Sequence, residues 1–124
     1  MKLPNIFAGE IAPQSYSAGS TIFYEGQPRD SMYVVQKGEV ELKVRGQVVE
    51  TVGVEEFFGE MALIEKDRRT ATAVASTDAK VVAVDERRFL FLIQQTPNFA
   101  LHVMRVLSDR LRRMDDQFVR ATRG

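Results

Sequence analysis

Residues 39–52 read Glu39-Val40-Glu41-Leu42-Lys43-Val44-Arg45-Gly46-Gln47-Val48-Val49-Glu50-Thr51-Val52. From Glu39 to Arg45 charged and apolar side chains alternate without a break. That is the period of a half-buried strand, with Val40, Leu42 and Val44 facing inward. Gly46-Gln47 reads as a hairpin turn into a second strand over 48–52. Similar short runs lie on either side. Thr21-Ile22-Phe23-Tyr24 is flanked by Gly19 and Gly26, and Ser31-Met32-Tyr33-Val34-Val35 is stopped by Gly38. Residues 70–75 and 80–84 supply two further strands. Strands this short, separated at such regular intervals by glycine, predict a β-sandwich or barrel over about residues 15–84.

After residue 84 the period changes. Asp85 is placed to N-cap a helix starting at Glu86, with Phe89, Leu90, Leu92 and Ile93 as its apolar residues. Thr96-Pro97 restarts the chain, with Thr96 as N-cap and Pro97 in the first helical position. A second helix of about twenty residues follows, to about Val119. The fold class is mainly β with C-terminal helices. No linker or internal repeat is visible, so residues 1–124 are read as one domain, large enough for one core but not two.

Composition narrows the chemistry. The chain has no cysteine and one histidine, His102. This excludes disulfides, cysteine-ligated zinc or iron–sulfur centres, a thiol nucleophile and an all-histidine metal site. Lys+Arg and Asp+Glu are 17 each. Residues 1–100 carry 11 basic and 14 acidic side chains, and residues 101–124 carry 6 and 3. A neutral domain lacks the overall field of a nucleic-acid binder. The basic tail (Arg105, Arg110, Arg112, Arg113, Arg120, Arg123) is read as a solvated helix face, partly neutralised by Asp109, Asp115 and Asp116. No run is long and apolar enough for a signal peptide or a membrane span. A cytoplasmic, membrane-free protein is expected. His102 has no partner at a catalytic spacing and is read as structural, and the chain is read as not an enzyme.

The segment that carries function is residues 57–75, FFGEMALIEKDRRTATAVA. Gly59-Glu60-Met61-Ala62-Leu63 reads as a tight turn into one helical turn, whose free N–H groups suit an anion. Glu60 beside an anion site makes sense if it faces hydroxyl donors such as those of a ribose. Ten residues after Gly59, Arg69 offers a rigid fork for a phosphate, and Thr70 adds a hydroxyl. Two readings fit. One is a sugar-phosphate cradle. The other is a surface loop in which Glu60 forms an ion pair with Arg69 or Arg68.

This segment resembles the phosphate-binding cassette of cyclic nucleotide-binding domains. The family pattern is Phe-Gly-Glu-x-Ala-Leu, a short loop, then Arg followed by Thr, Ser or Ala and by Ala. Here it stands as Phe58-Gly59-Glu60-Met61-Ala62-Leu63, then Arg69-Thr70-Ala71. Gly19, Gly26 and Gly38 fall where the family has turn glycines. The resemblance spans about residues 15–120. It implies an eight-stranded jelly roll, a short B helix and a long C helix, the two helices within about 86–119. It also implies cAMP or, second to it, cGMP as ligand, and no cofactor or metal. In this likeness Glu60 accepts the ribose 2′-hydroxyl. Arg69 pairs with the cyclic phosphate, helped by Thr70 and the N–H groups of Ala62 and Leu63, and Leu42 and Val49 pack the base. Three departures stand out. The family's Gly-Asp before the cassette is Glu55-Glu56 here, which suggests a turn without positive φ. The N-terminal helix is short, residues 3–8. On the C helix, Met114 and Asp115 take the positions where bacterial relatives contact adenine. Asp115 can accept an amine of either purine.

On that helix Ala100, Met104, Leu107, Leu111, Met114, Phe118 and Ala121 follow a 4-3-4-3 spacing. This a/d seam predicts a parallel homodimer in which Arg110 and Asp115 meet across the interface. Val103 and Val106 lie off the seam, placed for contact with the chain's own barrel. A helix lying wholly on that barrel would show nearly the same stripe. The regulators it resembles bind DNA through a helix-turn-helix after the C helix, and the chain ends at Gly124 without one. Direct DNA binding is therefore not expected. The output then passes to an effector in trans, which Met1 read as a natural start favours, or the chain is a piece of a larger protein. The competing reading is a ligand-free jelly-roll module that only dimerises.

Overall fold

The computed structural model describes residues 12–64 and 67–123, apart from the side chains of 117–119 and 121–123. The expected helix over 3–8 and the side chain of Phe118 lie outside the described residues. Eight strands run β1 (Gln14–Tyr16), β2 (Thr21–Phe23), β3 (Met32–Lys37), β4 (Val40–Val44), β5 (Gln47–Val52), β6 (Phe57–Phe58), β7 (Thr72–Ala75) and β8 (Ala79–Val84). A 3₁₀ turn, Glu60–Leu63, follows β6, and two helices close the chain, α1 (Glu86–Gln95) and α2 (Asn98–Arg123). The strands form two four-stranded sheets ordered β1-β8-β3-β6 and β2-β7-β4-β5, with every pairing antiparallel. This is the jelly-roll arrangement. β1 and β6, of three and two residues, are too short to show a period in the sequence.

The two sheets differ because one is covered on both faces. In β3, Met32 and Val34 point to the helices while Val35 points between the sheets. In β8, Val82 and Val84 face the helices, and Ala79 and Val81 the interior. Such strands read as continuous apolar runs. The helix side is completed by Phe57, Leu92, Phe99 and Val106, and the inter-sheet core by Phe23, Val40, Val52, Phe58, Ala73 and Ala75. Asp85 caps α1 by accepting from the Arg88 N–H at 2.8 Å. Phe89 of α1 meets Phe99 of α2 edge-on, with centroids 5.6 Å apart. No helix among the described residues is long and apolar enough to cross a membrane.

Two turns correct the sequence reading. The β4–β5 turn is Arg45-Gly46, both with positive φ (53° and 80°), and Gln47 already pairs with Val44. A two-residue turn with both φ positive matches the right-handed twist of its strands, so the turn sits one residue earlier than the pattern suggested. The turn before β6 does adopt positive φ, at Glu55 (72°), although no glycine stands there. Its backbone is held from both sides. The Glu55 N–H donates to the Val35 carbonyl at 2.8 Å, and its own carbonyl accepts from His102 Nε2 at 2.7 Å. His102 is buried on α2, so the lone histidine pins that helix to a strained turn.

Candidate functional site

Arg69 is 6 % exposed. Its guanidinium lies 4.0 Å above the Phe23 ring and 5.7 Å from that of Tyr33. Phe23, Tyr33 and Phe58 form a mutually packed aromatic floor, with centroids 5.3–5.8 Å apart. Arg69 Nη2 donates to the Ser31 carbonyl at 2.8 Å and lies 3.6 Å from the Asp30 carboxylate. Nε and Nη1 are buried and have no hydrogen-bond partner among the described residues. Burial drives the Arg69 pKa down, against the raising influence of Tyr33 and Asp30. A buried guanidinium with two unpartnered donor nitrogens is unfavourable by itself and suits an oxyanion. Arg68, next to it, turns outward to the Gly26 carbonyl at 2.8 Å.

Gly59 makes this packing possible. Its φ is +73°, and a Cβ there would lie 2.7 Å from Arg69 Nη1. The cavity beyond it, about 90 Å³, is lined by Phe23, Arg29, Leu42, Gly59, Glu60, Met61, Arg69, Thr70 and Ala71. A larger open groove of about 950 Å³ runs along α1 past Leu90 and Phe91, with Arg29, Asp30 and Ala62 on its far side. Size does not decide between them. Among the described residues the buried donors without partners are on Arg69, which lines the smaller cavity, and on Arg110, which is paired with Glu60 of that cavity's wall.

Glu60 is held by neither arginine of the cassette. It is paired with Arg110 of α2, which also donates from Nη2 to the Phe57 carbonyl at 2.5 Å and lies 5.5 Å from the Phe57 ring centroid. Arg110 is 8 % exposed. It therefore cannot meet Asp115 across a dimer seam, as the heptad reading had it. The barrel-facing stripe of α2 is Phe99, His102, Val106 and Arg110. A charged residue on that stripe was the signal that could have marked Arg110. Phe23, under the arginine, carried no such mark.

The other expected site residues divide. Leu42, Met61, Thr70 and Ala71 join Gly59, Glu60 and Arg69 around the cavity. Phe58 is fully buried in the aromatic floor and supports Arg69 rather than reaching the cavity. Ala62 is buried and its N–H donates to the Gly59 carbonyl at 3.2 Å, while Leu63 packs toward the helix-side core. Val49 lines a separate cleft of about 300 Å³ with Val48, Glu50, Thr51, Arg113 and Met114. Asp115 is exposed and lines none of these cavities. Among the described residues no cluster of His, Asp and Glu is placed to hold a metal ion.

Residues 13–96 match the family model for the cyclic nucleotide-binding domain. The chain belongs to that family. It is 35% identical over 105 residues to the cyclic AMP receptor protein of Thermus thermophilus, covering 81% of this chain and 49% of the relative. It is 28% identical over 112 residues to the CRP-like cAMP-activated global transcriptional regulator of Mycobacterium tuberculosis, covering 86% and 50%. Among solved structures, the c-di-GMP-responsive global regulator CLP of Xanthomonas campestris superposes with a TM-score of 0.82 at 26% identity, covering 92% of this chain and 60% of that one. The chain spans about half the length of the curated relatives it matches.

Proposed function

We propose that this domain is a cytoplasmic, non-catalytic receptor for a cyclic nucleotide, cAMP or cGMP, that signals by repositioning α1 and α2. The observation that carries the proposal is Arg69, a buried cation with two donor nitrogens that have no partner among the described residues, on the wall of the cavity that Glu60 also lines. The phosphate takes Arg69 and the ribose hydroxyl donates to Glu60. The relatives named above respond to different nucleotides, by their names, so family membership does not choose the base.

Glu60 gives the signal its route. A sugar hydroxyl on Glu60 shares the carboxylate with Arg110, and Arg110 belongs to α2. The cavity holds about three waters' worth of space, less than a nucleotide needs. Met61 on its rim and the Arg110 side chain move when ligand enters. Ligand then favours one position of α2 over another and shifts a population. The outer face of α2 exposes Met104, Leu111 and Met114. This face is the seam of a homodimer through which the change is read out.

Calorimetric titration of nucleotide-free protein with cAMP and cGMP, repeated on Arg69→Ala, tests the reading. Losing a charge-assisted pair weakens binding by about 30-fold or more. Heat in the wild type that disappears in the variant is the expected result. Folded, nucleotide-free protein that gives neither heat nor a thermal shift overturns the proposal and leaves the ligand-free module, for which the existing Glu60–Arg110 pair would be the explanation.

A further inference from the structure

Strand β5 buries the wrong residue by hydrophobic logic. Leu42 pairs with Glu50 and Lys43 with Val48, so Val49 is the extra residue of a β-bulge. The bulge leaves Val48 and Val49 about half exposed and turns Glu50 onto the face of Leu42, where its side chain is 11 % exposed. Turning a valine inward would bury hydrocarbon with no charge to desolvate. Bulges of this kind re-aim a side chain beside a site. The carboxylate is held from α2, where Arg113 Nη2 donates to Glu50 Oε1 at 2.9 Å.

The register shows what Glu50 is aimed at. Phe23, Ala73, Leu42 and Glu50 are successive partners across β2, β7, β4 and β5. Phe23 carries the Arg69 guanidinium, and Leu42 lines the cavity with Glu60. Glu50 stands one strand further, about 4.8 Å on, in the cleft of about 300 Å³ that Arg113 and Met114 close. A ligand with its phosphate at Arg69 and its sugar at Glu60 extends its remaining part along this row. Resting on the receptor reading above, we propose that Glu50 and Arg113 read the base, and that they select guanine over adenine. The preferred ligand is then cGMP, the reverse of the order expected from the sequence.

The chemistry is an edge match. Guanine presents N2–H, N1–H, O6 and N7 in succession: two donors, then two acceptors. The two carboxylate oxygens take the donors, and the guanidinium fork takes the acceptors. Adenine sets the N1 lone pair against the carboxylate and the N6 amine against the guanidinium, one mismatch at each partner. An ion pair that merely fastens α2 to β5 has no preference between the bases.

The test is calorimetry with cGMP and cAMP on wild-type protein, Glu50→Gln, Arg113→Met and Arg69→Ala. The expected result is cGMP bound about tenfold tighter or more by the wild type, a ratio near one in Glu50→Gln and in Arg113→Met, and both nucleotides lost in Arg69→Ala. A wild-type ratio near one or favouring cAMP overturns the assignment. So does a ratio that neither base-pocket variant moves. Both outcomes leave the receptor reading standing. Failure of folded wild type to bind either nucleotide overturns that reading and this assignment together. Arg113 is half exposed, so its variant carries the test if Glu50→Gln does not fold.

Discussion

At Arg69 a charged group occupies a place where a hydrocarbon would cost less. Its depressed pKa means that folding disfavours its charge. The stability tied to that shift is present only above the unfolded value, in strong alkali, and is lost as pH falls through the folded pKa, so at any ordinary pH the charge is a cost. Arg69→Met is therefore expected to keep or raise the urea midpoint while abolishing nucleotide binding. A fall of more than about 1 kcal/mol would show that the Ser31 and Asp30 contacts matter more than the desolvation. Tyr33 shows the opposite shift. Burial raises its pKa above 10.0, with Arg69 opposing. Its contribution is full below pH 10.0 and is lost as pH rises through the raised value. Difference absorbance should show its phenolate forming late, together with alkaline unfolding. Glu55 is the residue whose identity misled. The absence of glycine suggested a relaxed turn, yet Glu55 takes φ of 72° because bonds from Val35 and His102 over-determine it. Glu55→Gly should stabilise by up to about 1 kcal/mol, read by chemical denaturation, and a loss would mean that the turn is unstrained.

At the scale of elements, α2 carries two overlapping patterns. Its barrel-facing stripe and its outer apolar stripe interleave over the same residues, and heptad and helical periods diverge too little in that length to separate them. The heptad spacing therefore places Arg110 outward. The structure turns it inward, onto Glu60 and the Phe57 carbonyl. Removing it leaves a carboxylate and a carbonyl without their donor, so Arg110→Met should destabilise by about 2–3 kcal/mol. A double-mutant cycle with Glu60→Gln should return much of that loss as coupling energy. Additive losses would show that the pair is incidental. The hairpin was nearly legible from Glu39 to Arg45. Its bulge was not, because pairing one residue with two depends on the partner strand, and Val48-Val49-Glu50 alone gives no reason to bury the acid.

Across the whole molecule, the fold follows from what sequence displays well, namely alternation in β4, short apolar runs in β3 and β8, and the turns between them. The candidate site is legible where chemistry is local, in the 59–71 segment, and illegible at Arg110, which α2 brings to Glu60 from far along the chain. Homodimerisation belongs to this scale too. Met104 and Leu111 are 61 % and 62 % exposed on a helix about 39 Å long. Light scattering should give a dimer for wild type and a monomer for Leu111→Lys. Monomers in both would refute the seam.

The two unpartnered donor nitrogens of Arg69 have a consequence at the bench. Any small oxyanion that fits beside Gly59 satisfies them and binds the folded chain alone, which by mass action raises the melting temperature as its concentration rises. Phosphate and sulfate buffers are then weak ligands rather than inert media, and an amine buffer is not equivalent to them. The stability assigned to this protein is defined only together with the anion in the tube.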